Sequence, residues 1–194
     1  MKNKISLKTE YRKTFEYLKS LKNFLYFVLI LFILFSLIGF FVPFPESFFN
    51  YLITYLHNLL AQTKGFNYFQ WFRFIFLNNT FSSFTSCFGG IFLGIPAFFS
   101  SIVNGFLIGF VSKLSVGKEG FFSLWRLFPH GIFELPAIFI SFATGLKLGT
   151  FIFYKKKKDI LLYFLENNIR IFILVVIPLL FFAALIESAF IYFT

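Results

Sequence analysis

His130 and Glu134 lie four residues apart in the run Pro-His-Gly-Ile-Phe-Glu-Leu-Pro-Ala at 129–137, which sets an imidazole and a carboxylate on one face of a helix. Such a pair could relay a proton, supply part of a metal site or tie helices together through hydrogen bonds. Four further polar side chains stand in long stretches that otherwise avoid charge: Asn78, Asn79, Asn104 and Glu187. A metal site wants three or four ligands, and the lone Cys87 belongs to no CxxC or Cys/His pattern. No metal and no cofactor are therefore expected. A Ser-His-Glu hydrolase would need a placed nucleophile, and the sequence contains no GxSxG. The chain is read as a non-enzyme.

These side chains can meet only if long apolar helices carry them. Residues 74–112 contain no Asp, Glu, Lys or Arg. A bilayer core ~30 Å thick takes ~20 apolar helical residues per crossing, so this stretch fits two short membrane helices that turn at Pro96. A re-entrant hairpin over the same residues satisfies the charge pattern equally. Residues 23–42 form an unbroken apolar run, too long for a signal-peptide core and ended by Pro43 and Pro45. A further span is expected over 129–151, and a last one over 169–193 with Pro178 as a kink. Between them, 47–62 has the i, i+4, i+7 apolar rhythm of an amphipathic helix, Phe48, Leu52, Tyr55 and Leu59 forming one face. Residues 66–77 and 121–128, with Trp71 and Trp125, read as interfacial segments, and 155–168 reads as a charged connector. The fold class expected is an all-α membrane protein: a bundle of about five transmembrane helices with short interfacial helices. Residues 1–22 form a basic segment ahead of one membrane domain, 23–194.

Charge placement orients the bundle. The net charge of +10 gathers beside spans, at Lys2, Lys4, Lys8, Arg12, Lys13, Lys19 and Lys22 and again at the lysines of 155–158. This is the pattern of the positive-inside rule and of attraction to anionic lipid, rather than of nucleic-acid binding. It places the N-terminus in the cytoplasm and the C-terminus outside, in a multi-pass protein of the cell membrane. In this orientation Glu134 lies ~7 Å below the outer start of its span, and Glu187 lies ~27 Å from the inner face. His130, Glu134, Glu187, Asn78 and Asn79 are then expected to converge in the outer half of the membrane, with Asn104 deeper. Polar contacts of this kind serve as interhelical glue worth ~0.6–2 kcal/mol. They could also hold an ion, a proton or a ligand.

Glycines mark where helices touch. Gly90 with Gly94, Gly105 with Gly109 and Gly145 with Gly149 each make a GxxxG within apolar sequence. The pattern permits close packing, either within the chain or in a homodimer.

The run Phe-Ile-Phe-Leu-Asn-Asn at 74–79, Gly90 with Gly94-Ile95-Pro96, and Asn104-Gly105 with Gly109 together resemble the stage II sporulation protein M family. The 129–137 element, Gly145 with Lys147 and Gly149, and Ile186-Glu187 extend the likeness over most of the chain. The resemblance implies a polytopic membrane protein that acts as scaffold or anchor for a peptidoglycan-degrading complex, while separate partner proteins carry the hydrolytic activity. Partners expected are the lipid bilayer and other membrane or extracytoplasmic proteins. The alternative is a small transporter or channel built on the His/Glu/Asn cluster.

Overall fold

The computed structural model describes residues 7–193, with the side chains of Leu7, Leu60 and residues 126–130 outside the description. The described residues are helical throughout their regular structure, in the order α1 (Leu7–Ser20), α2 (Lys22–Phe41), α3 (Glu46–Thr63), α4 (Tyr68–Phe88), α5 (Ile95–Glu119), α6 (Phe128–Gly149), α7 (Lys157–Ile171) and α8 (Ile177–Phe193). Among the described residues, four helices are long and apolar enough to cross a membrane: Lys22–Phe41, Ile95–Glu119, Gly131–Phe153 and Lys157–Phe193. α4 is the fifth bundle helix. It is not apolar enough to count by composition, because it carries Gln70, Arg73, two asparagines and a series of Ser and Thr. It nevertheless runs the length of α8 in antiparallel register, from Tyr68 against Tyr192 (6.4 Å between rings) through Phe72 against Phe181 (5.5 Å) to Phe88 against Phe172 (5.7 Å). Residues 74–112 thus supply most of α4 and most of α5.

Local chemistry sets where these helices start and stop. Asn67 caps α4: its Oδ1 accepts from the Gln70 amide at 2.9 Å, and its own amide donates to Gln70 Oε1 at 2.8 Å. The segment expected to lie at the interface over 66–77 is therefore the first half of this helix. The turn into α5 uses Gly94 in the left-handed region (φ +76), with Pro96 in the first turn of the helix. The charged segment over 155–168 is not a loose connector. It is α7, and it continues through a π-helical segment, Phe172–Val176, into α8 as one helix of 37 residues. Pro178 follows that segment. Its missing N–H and the clash of its ring with the preceding turn are relieved by the wider winding. At 1.5 Å per residue this helix is ~55 Å long, so about fifteen residues of it extend past a ~30 Å hydrocarbon layer.

α6 is the centre of the bundle, with Ala137, Phe142, Ala143 and Leu148 buried among α2, α4, α5 and α8. α3 crosses one end. Phe49 packs on Phe110 (5.7 Å) and Phe48 on Phe106 (6.1 Å), while the far end of the helix borders Trp71 and Ile191. Leu52 of the expected apolar face is buried, and Tyr51 and Tyr55 are exposed.

α1 packs on α7 at the other end. Tyr17 meets Tyr163 edge-on and Phe164 at a tilt, and Arg170 pairs with both Glu10 and Glu166. Lys13 Nζ lies 3.2 Å from Glu10. This lysine, and after it Arg170, holds the Glu10 carboxyl below its ordinary value of 4.5 despite some opposing desolvation. A lowered folded-state value means that the pairing stabilises above the unfolded value and is lost as pH falls through the folded one. The α1 amides should therefore exchange faster, relative to their intrinsic rates, at pH 4 than at pH 7. Glu10→Gln should flatten that difference, as hydrogen exchange in detergent can measure.

Candidate functional site

Of the polar residues expected to meet, Asn104 and Glu134 share one cleft. It opens between α2, α5 and α6, has a volume of about 290 Å³, and is walled by Phe32, Ile108, Val111 and Ile138. Asn104 Nδ2 donates to the Ser100 carbonyl one turn back at 2.8 Å. Phe32 of this wall meets Phe139 edge-on at 4.9 Å. The cleft thus sets an amide and a carboxylate in apolar walls.

The other polar residues part from this pair sideways. Asn78 lines a separate groove with Gln70, Arg73 and Phe74 on the outward face of α4, and its Nδ2 donates to Asn79 Oδ1 at 3.4 Å. Because α4 starts at Tyr68, Asn78 lies ~15 Å along it, deeper than a start at residue 74 implied. Its depth still matches the early turns of α6, since Cys87 meets Thr144 and α4 runs parallel to α6. Glu187 is half-buried on α8, one turn from the contact of Phe190 with Trp125 (5.3 Å). Phe133 packs on Phe182 at 6.4 Å, so Glu187 lies ~8 Å nearer the α3 end than the level of Glu134. The His130 side chain lies outside the described residues. The five described polar residues therefore form a ladder spread over several helix faces.

A second polar centre, nearer the α1 end, was not anticipated. Asn168 is fully buried, and its Nδ2 donates to the carbonyls of Cys87 (3.3 Å) and Thr144 (3.4 Å). The Tyr17 hydroxyl donates to Asn168 Oδ1 at 3.4 Å. Thr144 Oγ1 lies 2.9 Å from the Ser141 carbonyl and 3.3 Å from Cys87 Sγ. Lys147 sits 4.2 Å over the Tyr17 ring and donates to Ser20 Oγ at 2.6 Å. Burial pushes the Tyr17 hydroxyl well above its ordinary value, so it remains a donor. The signal available in sequence was the Asn167-Asn168 pair at the edge of the last apolar run.

The six motif glycines all face the chain itself. A Cβ on Gly105 would stand 2.5 Å from the Phe32 carbonyl oxygen, and one on Gly109 would overlap that of Ser36, so α5 lies directly against α2. Gly90 and Gly145 lie against each other's helix, and Gly94 and Gly149 interlock at the turn before α5. α4, α5 and α6 are thereby brought to backbone contact.

An uncharacterized protein of Methanocaldococcus jannaschii is 33% identical over 125 residues, covering 60% of this chain and 68% of that one. No solved structure matches. The family profile described as stage II sporulation protein M matches residues 28–191, from within α2 to near the end of α8. A match that takes in every bundle helix, and with them the element at the head of α6, settles the matter: the chain belongs to the stage II sporulation protein M family.

Proposed function

We propose that this protein is a membrane anchor that helps assemble a cell-wall-remodelling complex, the degradation of peptidoglycan being carried by proteins it gathers. The observation that carries this reading is the contrast between a locked interior and a sticky rim. Backbone contacts at Gly105, Gly109 and Gly145 hold α2, α5, α4 and α6 together. The α3 end meanwhile exposes Tyr51, Tyr55, Phe121, Phe122 and Trp125. Aromatic side chains of this kind serve both as headgroup-level anchors and as binding hot spots. The basic residues of α1 and of 155–158 lie together at the opposite end, next to α7, which supports a cytoplasmic α1 end and an extracytoplasmic α3 end. Replacing Tyr51 and Trp125 by Asp should leave the bundle folded while membrane-associated peptidoglycan hydrolysis falls to the level seen without the protein. Hydrolysis that is unchanged when the protein is removed altogether would sink the anchoring role.

The cleft at Asn104 and Glu134 favours a second reading, a small transporter. Such a path has to pass the Phe32–Phe139 contact and the glycine-locked helices below it. Solute or proton flux in proteoliposomes, abolished by Glu134→Gln, would establish transport in place of anchoring.

A further inference from the structure

The outward faces of the bundle differ in chemistry. α2 turns Phe27, Ile30, Ile33 and Leu37 outward, and the helix ending in α8 turns Ile173, Phe181 and Phe182 outward. α4 instead exposes Gln70, Arg73 and Asn78 among Phe69, Leu77 and Phe81. It does so at membrane depth, because it is paired along its length with α8. Arg73 makes no hydrogen bond or ion pair with any described residue, and Asn78 Oδ1 accepts none. A guanidinium and an amide at that depth are costly unless another helix partners them.

The spacing of the stripe says what kind of helix fits. Gln70, Phe74, Leu77 and Phe81 recur at intervals of four, three and four, the a/d rhythm of a parallel, left-handed helix pair. Arg73 and Asn78 then fall at g and e positions, where side chains of two parallel strands reach across the seam to each other. We propose that α4 is the interface of a homodimer, in which Arg73 of each copy donates to the amide oxygen of the partner's Asn78. A second copy in the same membrane presents this stripe in parallel and at equal depth. A two-fold axis along the membrane normal then satisfies both Arg–Asn pairs at once, which an unrelated helix does not. The GxxxG glycines do not compete for this role, since all six are occupied inside the chain. The pairing requires only that the bundle lies in a bilayer, so it stands or falls separately from the anchoring role.

The native chain should show the mass of two copies by light scattering in mild detergent and in lipid nanodiscs. In a Cys87→Ser background, Phe81→Cys should yield a disulfide-linked dimer in membranes. Phe99→Cys, equally outward but on α5, should not. Asn78→Leu and Arg73→Gln should each raise the dissociation constant by about tenfold or more. A single-chain mass for the native protein overturns the proposal, leaving lipid or a different helix as the occupant of the stripe. Equal cross-linking at the two positions, or unchanged affinity in Asn78→Leu, overturns it too. If Cys87→Ser proves unstable, the mass measurement on the native chain and on Asn78→Leu decides alone.

Discussion

Gly109→Ala should cost the protein ~2–4 kcal/mol, while the same change eight residues on, Gly117→Ala, should stabilise it by ~0.5–1 kcal/mol. Both glycines lie in α5, so helix propensity favours alanine equally at each. The difference is what the new methyl meets. At Gly117 nothing lies within 4 Å, whereas at Gly109 the methyl overlaps the carbonyl oxygen of Ser36 and would come within 3.0 Å of its Cα. Those atoms are backbone, held in the hydrogen-bonded ladder of α2, and cannot rotate away as a side chain can. The two helices must part, and every contact along their seam loosens with them. Gly145→Ala should behave like Gly109→Ala, since its methyl would meet the Ser86 carbonyl and stand 2.8 Å from Ala97 Cβ. Thermal unfolding in a single detergent, compared across the three variants, checks both the size and the change of sign. Equal effects at Gly109 and Gly117 would mean that α2 and α5 are not in backbone contact.

This sensitivity explains why the glycines were legible in the sequence and their partners were not. GxxxG announces that a helix is narrow on one side, but the surface it meets at Gly105 and Gly109 is a pair of carbonyls in α2, and any residue could supply them. The apolar spans were likewise plain from length alone. α4 was harder, since its start is set by the reciprocal Asn67–Gln70 cap rather than by hydropathy, and its apolar periodicity is diluted by polar side chains on more than one face. α7 reads as a connector in the sequence because its charges mask a helix that continues straight into α8. How far along its helix each polar residue stands follows from the sequence once the helix start is known. Depth does not fix direction around a helix axis, however, and Asn78 turns outward while Glu134 turns into the cleft with Asn104.

Direction around the axis also decides the second large effect. Asn168→Leu should destabilise the protein by ~2–4 kcal/mol and release α1, although the sequence reads the two stretches joined here, 1–22 and 155–168, as charged segments. The amide of Asn168 holds carbonyls from the end of α4 and from α6, and its oxygen receives the Tyr17 hydroxyl of α1, so one side chain joins four helices. Leucine nearly preserves the volume but offers no donor and no acceptor, and it leaves the Tyr17 hydroxyl buried without its acceptor. The ring of Tyr17 still has Tyr163, Phe164 and the Lys147 ammonium around it, so Tyr17→Phe alone should cost only ~1 kcal/mol. In the double variant the orphaned hydroxyl is gone, and the loss should be smaller than the sum of the two. Chemical unfolding gives the cycle, and hydrogen exchange over residues 8–20 reports whether α1 has let go. Strict additivity, with α1 still protected in Asn168→Leu, would mean that the aromatic and ionic contacts on α7 hold α1 in place and that Asn168 serves α4 and α6 alone.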